Sequence, residues 1–308
     1  MTIRLAIVGL GKIAGDQHIP AIAGTEGIEL AAIASPNGGI DGIAHFATLD
    51  QLLADAPDID AVALCTPPQV RSALAAAALK AGKHVLLEKP PGATVSEFDP
   101  LVAAARQTGR TLFAAWHSRF APAVEPARNF LAGRLIKSVV VEWKEDVRVW
   151  HPGQAWIWEP GGLGVFDPGI NALSILTRIL PRAFFLTAAE LSFPRNRAAP
   201  IAADLAFSDD AGTAIRAEFD WRQTGPQTWD IRVETDAGRL TLSAGGRRLM
   251  HDDRILVDEK KAEYREIYRR FVELIASGAS DVDLSPLVHV ADAFMLGRHR
   301  DVESFIEE

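Results

Sequence analysis

The chain has one cysteine, Cys65, among 308 residues. A single thiol excludes an internal disulfide framework and suits a reducing compartment. Long apolar runs are missing too. None approaches the ~20 apolar residues of a membrane-spanning helix. The first residues, Met-Thr-Ile-Arg-Leu-Ala-Ile-Val-Gly, run straight into a strand pattern without the charged and apolar regions of a secretion signal. Positive charge is scarce: 32 Lys and Arg stand against 40 Asp and Glu, a formal net charge of -8. No basic stripe forms, which argues against nucleic acid and anionic membranes as partners. Repeats, low-complexity segments and metal-ligand spacings are also lacking, and the eight histidines are scattered. What remains has ordinary globular composition, 48% hydrophobic and 23% charged, and is long enough for two domains. A soluble cytoplasmic protein that binds no metal is expected.

Arg4 to Val8 reads as a buried parallel strand. It passes directly into Gly9-Leu10-Gly11-Lys12-Ile13-Ala14, the G-x-G-x-x-A form of a dinucleotide fingerprint. Gly9 permits the tight turn, Gly11 lets a pyrophosphate approach the backbone, and Ala14 lets the next helix pack on the strand. Strands and helices then alternate as in a doubly wound sheet. Strands are expected at Ile28 to Ser35, Ala61 to Cys65, His84 to Glu88 and Thr111 to Ala115, with helices over 48–54, 71–81 and 94–108. The last helix opens on a Thr94/Glu97 capping box, and Pro100 inside it delays its start.

Cofactor choice is read at the end of the second strand. Ser35-Pro36-Asn37 offers neither the acid that selects NAD nor the arginine that selects NADP. Ser35 is able to donate to either ribose substituent, so the preference stays open. Cys65-Thr66-Pro67-Pro68-Gln69 and Glu88-Lys89-Pro90-Pro91 follow strands on the edge that faces the cofactor. Consecutive prolines fix the backbone there. Cys65 reads as a small buried hydrophobe. A lysine held beside a cationic nicotinamide, partly out of water, is able to exchange a proton with a substrate hydroxyl, and Lys89 is the candidate.

Four of the seven tryptophans (Trp143, Trp150, Trp156, Trp158) lie between residues 143 and 171, beside acids, a histidine and five glycines. Aromatic faces among polar groups suit a polyhydroxylated ligand. Ser138 to Trp150 reads as a strand with Val139, Val141, Trp143, Val147 and Val149 on one face. Glu145 shares that parity, so it is paired, functional, or displaced by a bend after Trp143. Asp167-Pro168-Gly169 opens a helix over 170–180 with Asp167 at N-cap, and capping alone accounts for Asp167 as readily as chemistry does. Asn171, one turn on and on the same face, has no capping role and reads as a ligand contact. Further strands are expected over 184–193, 202–208, 213–221, 228–236 and 239–244, and helices over 122–133, 262–277 and 285–300. Trp229 either closes the ligand pocket or lies in the core.

Gly9-Leu10-Gly11, Thr66-Pro67-Pro68 and Glu88-Lys89-Pro90 together resemble the glucose–fructose oxidoreductase / inositol dehydrogenase / MocA family. The segments Trp143 to Arg148, Trp150 to Gln154 and Gly161 to Asn171 are similar to its bacterial L-arabinose 1-dehydrogenase and D-galactose 1-dehydrogenase branch. The resemblance covers essentially the whole chain. It implies an α/β N-terminal Rossmann domain (1–118) and a C-terminal α+β domain (119–308) with a large, mostly antiparallel, open-faced sheet. It implies NAD(P)-dependent oxidation of an aldopyranose, D-galactose, L-arabinose or D-fucose, at C1 to the lactone by hydride transfer. A sheet covered by helices on one face only commonly pairs through the other, so a homodimer is expected.

Residue by residue, the resemblance assigns Gly9, Gly11, Lys12, Ile13, Ser35, Thr66, Pro67, Glu88 and Lys89 to the cofactor. Lys89, Asp167 and Asn171 are the catalytic candidates, and His117, Glu145, Trp150 and Trp229 the monosaccharide contacts. One departure matters. The wider family's motif ends in histidine where this chain has Asn171, and a neutral amide is no base. The base is then Lys89 or Asp167, across a seam between the two domains. Rival readings are a non-catalytic NAD(P) or sugar sensor on the same fold and a reductase of another carbonyl.

Overall fold

The computed structural model describes residues 2–260 and 262–307. Contacts divide the chain into two compact units, Met1–His117 with Glu263–Leu284 and Ser118–Ala262 with Ser285–Glu308.

In the first unit the strands are β1 (Ile3–Val8), β2 (Ile28–Ala34), β3 (Ala44–Phe46), β4 (Ala61–Leu64), β5 (His84–Leu87) and β6 (Leu112–Ala114). They form one parallel sheet in the order β3-β2-β1-β4-β5-β6. The order reverses direction at β1, the switch point where doubly wound sheets bind their ligands. β4 and β5 are buried throughout, which is why they read as unbroken apolar runs. β3 escaped the sequence reading because it is three residues long and mostly exposed.

The helix after Gly11 widens to a π turn over Ala14–His18 before continuing as α1 (Ile19–Ala23). Then come α2 (Leu49–Asp55), α3 (Pro68–Lys80) and α4 (Phe98–Thr108). α4 starts at Phe98 rather than at Thr94. Pro100 thus lies in its first turn, where backbone N–H groups have no partner inside the helix. Half of the expected capping box survives in the preceding turn, with the Thr94 N–H donating to Glu97 Oε1 at 2.9 Å.

The second unit begins with α5 (Val124–Leu131), β7 (Ile136–Lys144), α6 (Val147–Trp150) and α7 (Phe166–Ile179). β8 (Phe184–Pro194), β9 (Ala202–Asp209), β10 (Ala214–Asp220), β11 (Thr228–Thr235), β12 (Gly238–Ser243), β13 (Arg248–His251) and β14 (Arg254–Asp258) follow. The helix α8 (Glu263–Ser277) leaves this unit and packs with the first. The chain ends in α9 (Ser285–Leu296) and β15 (Arg298–Val302). The nine strands run in the order β14-β13-β12-β11-β7-β10-β9-β8-β15. Only β7/β10 and β8/β15 pair in parallel, so the sheet is mixed and mostly antiparallel.

α7 is the apolar lid of this sheet. Ile170, Leu173, Ile175 and Leu176 have no exposed surface. Gly169 permits the close approach: a Cβ there would stand 2.5 Å from the Phe219 ring on β10. The Phe166 ring meets Phe219 edge to face at 5.9 Å.

Three sequence expectations need correction. β7 stops at Lys144, because Asp146 caps a helical turn through the Arg148 N–H at 3.0 Å. Val149 is therefore exposed instead of lying on the core face. α9 stops at Leu296, and the polar stretch beyond it pairs with β8, where Arg298 and Arg300 both meet Glu190. Finally, the second unit is not the continuous run 119–308, since the apolar face of α8 is buried in the first. Among the described residues no helix is long and apolar enough to cross a membrane.

Candidate active site

In the first unit Gly9 has φ +92°, and a Cβ there would stand 3.0 Å from Thr66 Cγ2, 3.1 Å from the Thr66 nitrogen and 3.2 Å from the Cys65 carbonyl carbon. Only glycine serves at that turn. Gly11 is the opposite case: a Cβ there would meet nothing within 4 Å. No packing constraint of the chain itself asks for glycine at 11, but a pyrophosphate lying against the backbone does. Lys12 and Ile13 start the helix at the surface, with Lys12 paired to Asp16. These residues fit a dinucleotide.

Ser35, expected at the cofactor, follows β2. It is fully buried, its hydroxyl accepts the Asn37 N–H at 3.2 Å, and its carbonyl is 2.9 Å from His45 Nε2. The side chain shapes the turn from within, so the exposed group at the end of β2 is Asn37, a neutral amide.

Arg71 ties the two proline corners together. Reaching in from α3, its buried guanidinium donates to the carbonyls of Thr66, Glu88 and Pro90. That clamp fixes the backbone on both sides of Lys89, whose bond to Pro90 is cis. Lys89, Thr66 and Pro67 keep exposed surface on this edge.

Glu88, expected to face the cofactor, is turned inward instead. Its carboxylate accepts from Tyr264 Oη at 2.5 Å and lies 3.4 Å from His18 Nε2. The other ring nitrogen of His18 is 2.6 Å from Tyr268 Oη. Burial alone would raise the Glu88 carboxyl. The His18 hydrogen bond and charge, with His117 and Lys89 beyond, outweigh burial and hold it at about 2. Burial alone would lower His18, but Cys65, Tyr268 and Glu88 push it well above its ordinary value. The result is a buried ion pair held by two tyrosines of α8. His117 also belongs here, with its ring stacked on Tyr264 at 5.3 Å and Nδ1 3.3 Å from Glu263 Oε2.

The second unit holds a different cluster, built where β7 ends. Glu145 is buried, and its backbone N–H donates to the Asp220 carbonyl at 2.9 Å. Trp229 Nε1 donates to its Oε2 at 2.8 Å and Trp221 Nε1 to its Oε1 at 3.3 Å. Asp167 is the second residue of α7, not its cap, and its carboxylate is buried. The capping account therefore fails. His151 Nε2 stands 3.5 Å from Asp167 Oδ2 and 3.8 Å from Glu145 Oε1. Asn171 is half-buried one turn along α7. Trp150 is 40% exposed and tilts against Trp229 at 5.1 Å, while Trp143 is buried behind Trp229 at 5.9 Å.

The expected site residues thus fall into two groups. Gly9, Gly11, Lys12, Ile13, Thr66, Pro67, Lys89 and His117 belong to the first unit; Glu145, Trp150, Asp167, Asn171 and Trp229 belong to the second. His151 and Trp221 were missed. Trp221 carried a signal, since it shares the core parity of Ile215, Ala217 and Phe219. His151 carried none beyond its place between Trp150 and Pro152.

Known proteins resemble the chain over nearly its whole length. Residues 3–116 match the model described as "Oxidoreductase family, NAD-binding Rossmann fold". A galactose 1-dehydrogenase of Pseudomonas fluorescens is 46% identical over 308 residues, 99% of either chain. The crystal structure of a D-galactose-1-dehydrogenase from Rhizobium etli is 59% identical, with a TM-score of 0.95 over 99% of this chain and 98% of that one. A 3-ketoreductase from Actinomadura kijaniata shares the fold, with a TM-score of 0.83 at 20% identity over 98% of this chain and 100% of its own. The chain belongs to the glucose–fructose oxidoreductase / inositol dehydrogenase / MocA family of NAD(P)-dependent oxidoreductases.

Proposed function

We propose that this enzyme oxidises D-galactose at C1 to the lactone, with NAD or NADP as hydride acceptor. One observation carries the reading: two buried carboxylates, Glu145 and Asp167, each lie within 4 Å of His151, and Glu145 accepts from the indoles of Trp221 and Trp229. Ionised carboxylates only accept hydrogen bonds, and a sugar is rich in hydroxyl donors. Indole faces suit the C–H face of a pyranose. The two relatives named for galactose oxidation match nearly the whole chain, which supports the same substrate here.

Bound NAD(P) supplies the two-electron acceptor. The chain's own residues do the rest. Gly9 and Gly11 admit the pyrophosphate, and Thr66 and Pro67 frame the edge beyond it. Lys89 takes or relays the proton of the anomeric hydroxyl, with Asp167 the second candidate for that step. Asn171 and Glu145 fix neighbouring hydroxyls. Trp150, Trp229 and His117 complete the sugar contacts. L-Arabinose and D-fucose share the ring hydroxyl configuration of D-galactose and differ mainly at C5, so both are expected substrates.

The free face of the nine-stranded sheet, where Val140 and Phe185 are exposed, pairs two copies in a homodimer. The single cysteine suits the cytoplasm. The test is the absorbance of reduced nicotinamide with a panel of aldoses, run with NAD and with NADP. D-Galactose is expected to be oxidised. If no aldose is oxidised with either cofactor, the reading falls to the sensor or the carbonyl reductase.

A further inference from the structure

His151 follows α6 and is mostly buried. Its Nε2 lies within 4 Å of two carboxylates at once, 3.5 Å from Asp167 Oδ2 and 3.8 Å from Glu145 Oε1. Those carboxylates are only 2% and 3% exposed. Burial disfavours charge on a carboxylate, and a neighbouring cation favours it.

The ring is arranged to be that cation. Its other nitrogen, Nδ1, lies 3.4 Å from Gln154 Oε1. Both ring nitrogens therefore lie near oxygen atoms, the arrangement that the two N–H donors of an imidazolium suit. Trp221 tilts against the imidazole at 5.3 Å and limits its rotation. The elements around the ring contribute as follows. Glu145 comes from the end of β7 and Asp167 from the start of α7, while Trp221 follows β10 and contributes an indole. Asp146, next to Glu145, is turned to Arg148 at 2.8 Å.

We propose that His151 is a positioning residue: an imidazolium that keeps Glu145 and Asp167 ionised side by side, so that both accept hydrogen bonds from sugar hydroxyls. This rests on the function proposed above and deepens it. His151 neither gains nor loses a proton in the cycle. It acts through the carboxylates.

The consequence is a pH signature. With His151→Gln an N–H donor remains but the charge is gone, so the carboxylates lose the cation that favours their ionised form. The acid limb of kcat/KM for the sugar moves upward by about one pH unit or more, about tenfold in rate constant on the acid side. The loss shrinks as pH rises, and it falls on KM more than on kcat. With Glu145→Gln already present, the same substitution has a smaller effect, because a single carboxylate no longer needs the cation.

A second measurement does not depend on turnover. Nitrogen-15 NMR of the sugar-free wild type at neutral pH, with His151 assigned by its disappearance in His151→Gln, is expected to show both ring nitrogens protonated. A neutral ring overturns the proposal, and so does a variant whose loss is the same at every pH. In either case aldose oxidation by the wild type stands untouched. If the wild type oxidises no aldose, the proposed function falls, and a charged His151 ring still supports the ion triad.

Discussion

Trp229 Nε1 donates to Glu145 Oε2 at 2.8 Å, from a position directly across from Trp143 in the pairing of β11 with β7. Strand register therefore stacks one indole on the core and aims its nitrogen at a buried carboxylate just past the end of β7. Trp229→Phe keeps the aromatic face and removes the donor. A hydrogen bond to a charged group contributes ~1.5–3 kcal/mol, so the KM for the sugar should rise about tenfold or more. An unchanged KM would mean that Glu145 does not bind the sugar.

The Arg71 guanidinium holds the backbone on both sides of Lys89. Lys89→Ala should lower kcat by about a hundredfold or more, the usual worth of a proton-transfer group, while fluorescence titration shows the cofactor still bound. A near-normal kcat passes the proton step to Asp167.

The His18–Glu88 pair makes stability depend on pH from both sides. Glu88 is held at about 2 against an ordinary 4.5, so its contribution is present above 4.5 and is lost as pH falls from there toward 2. His18 is raised above 6.5, so its contribution is present below 6.5 and is lost as pH rises through the raised value. Both act fully between 4.5 and 6.5. Urea unfolding midpoints of the wild type should fall on the acid side more steeply than those of Glu88→Gln. Parallel curves would contradict the pairing.

Arg71→Met removes one guanidinium from three backbone carbonyls at once. Each buried acceptor left without a donor costs ~1–3 kcal/mol, so the unfolding free energy should drop by about 3 kcal/mol or more. The KM for the cofactor should rise with it, because both proline corners lose their tie. A drop under ~1 kcal/mol would show that the corners hold themselves.

Much of this was legible in the residues. β1, β4 and β5 are buried on both faces and read as apolar runs, and the glycine spacing after β1 needs no tertiary information. Glu145 was flagged by parity alone. Non-local contacts leave little trace in the residue pattern. Polar residues at alternate positions hid the end of β7, because Asp146 stops the strand by a cap that periodicity does not register. β15 has almost no apolar residue and exists through its pairing with β8. α8 returns to the first unit, so Tyr264 and Tyr268 reach Glu88 and His18 from far along the chain. His151 and Asp167 meet only because α6 and α7 converge on the end of β7.

The most direct test is the fate of the hydrogen at C1. D-Galactose deuterated at C1 is incubated with the wild-type enzyme and NAD or NADP, and the reduced nicotinamide is examined by mass spectrometry. The expected result is one deuterium carried on each reduced nicotinamide, with galactonolactone as the other product. Reduced nicotinamide without deuterium, or no reduction at all, would contradict oxidation at C1.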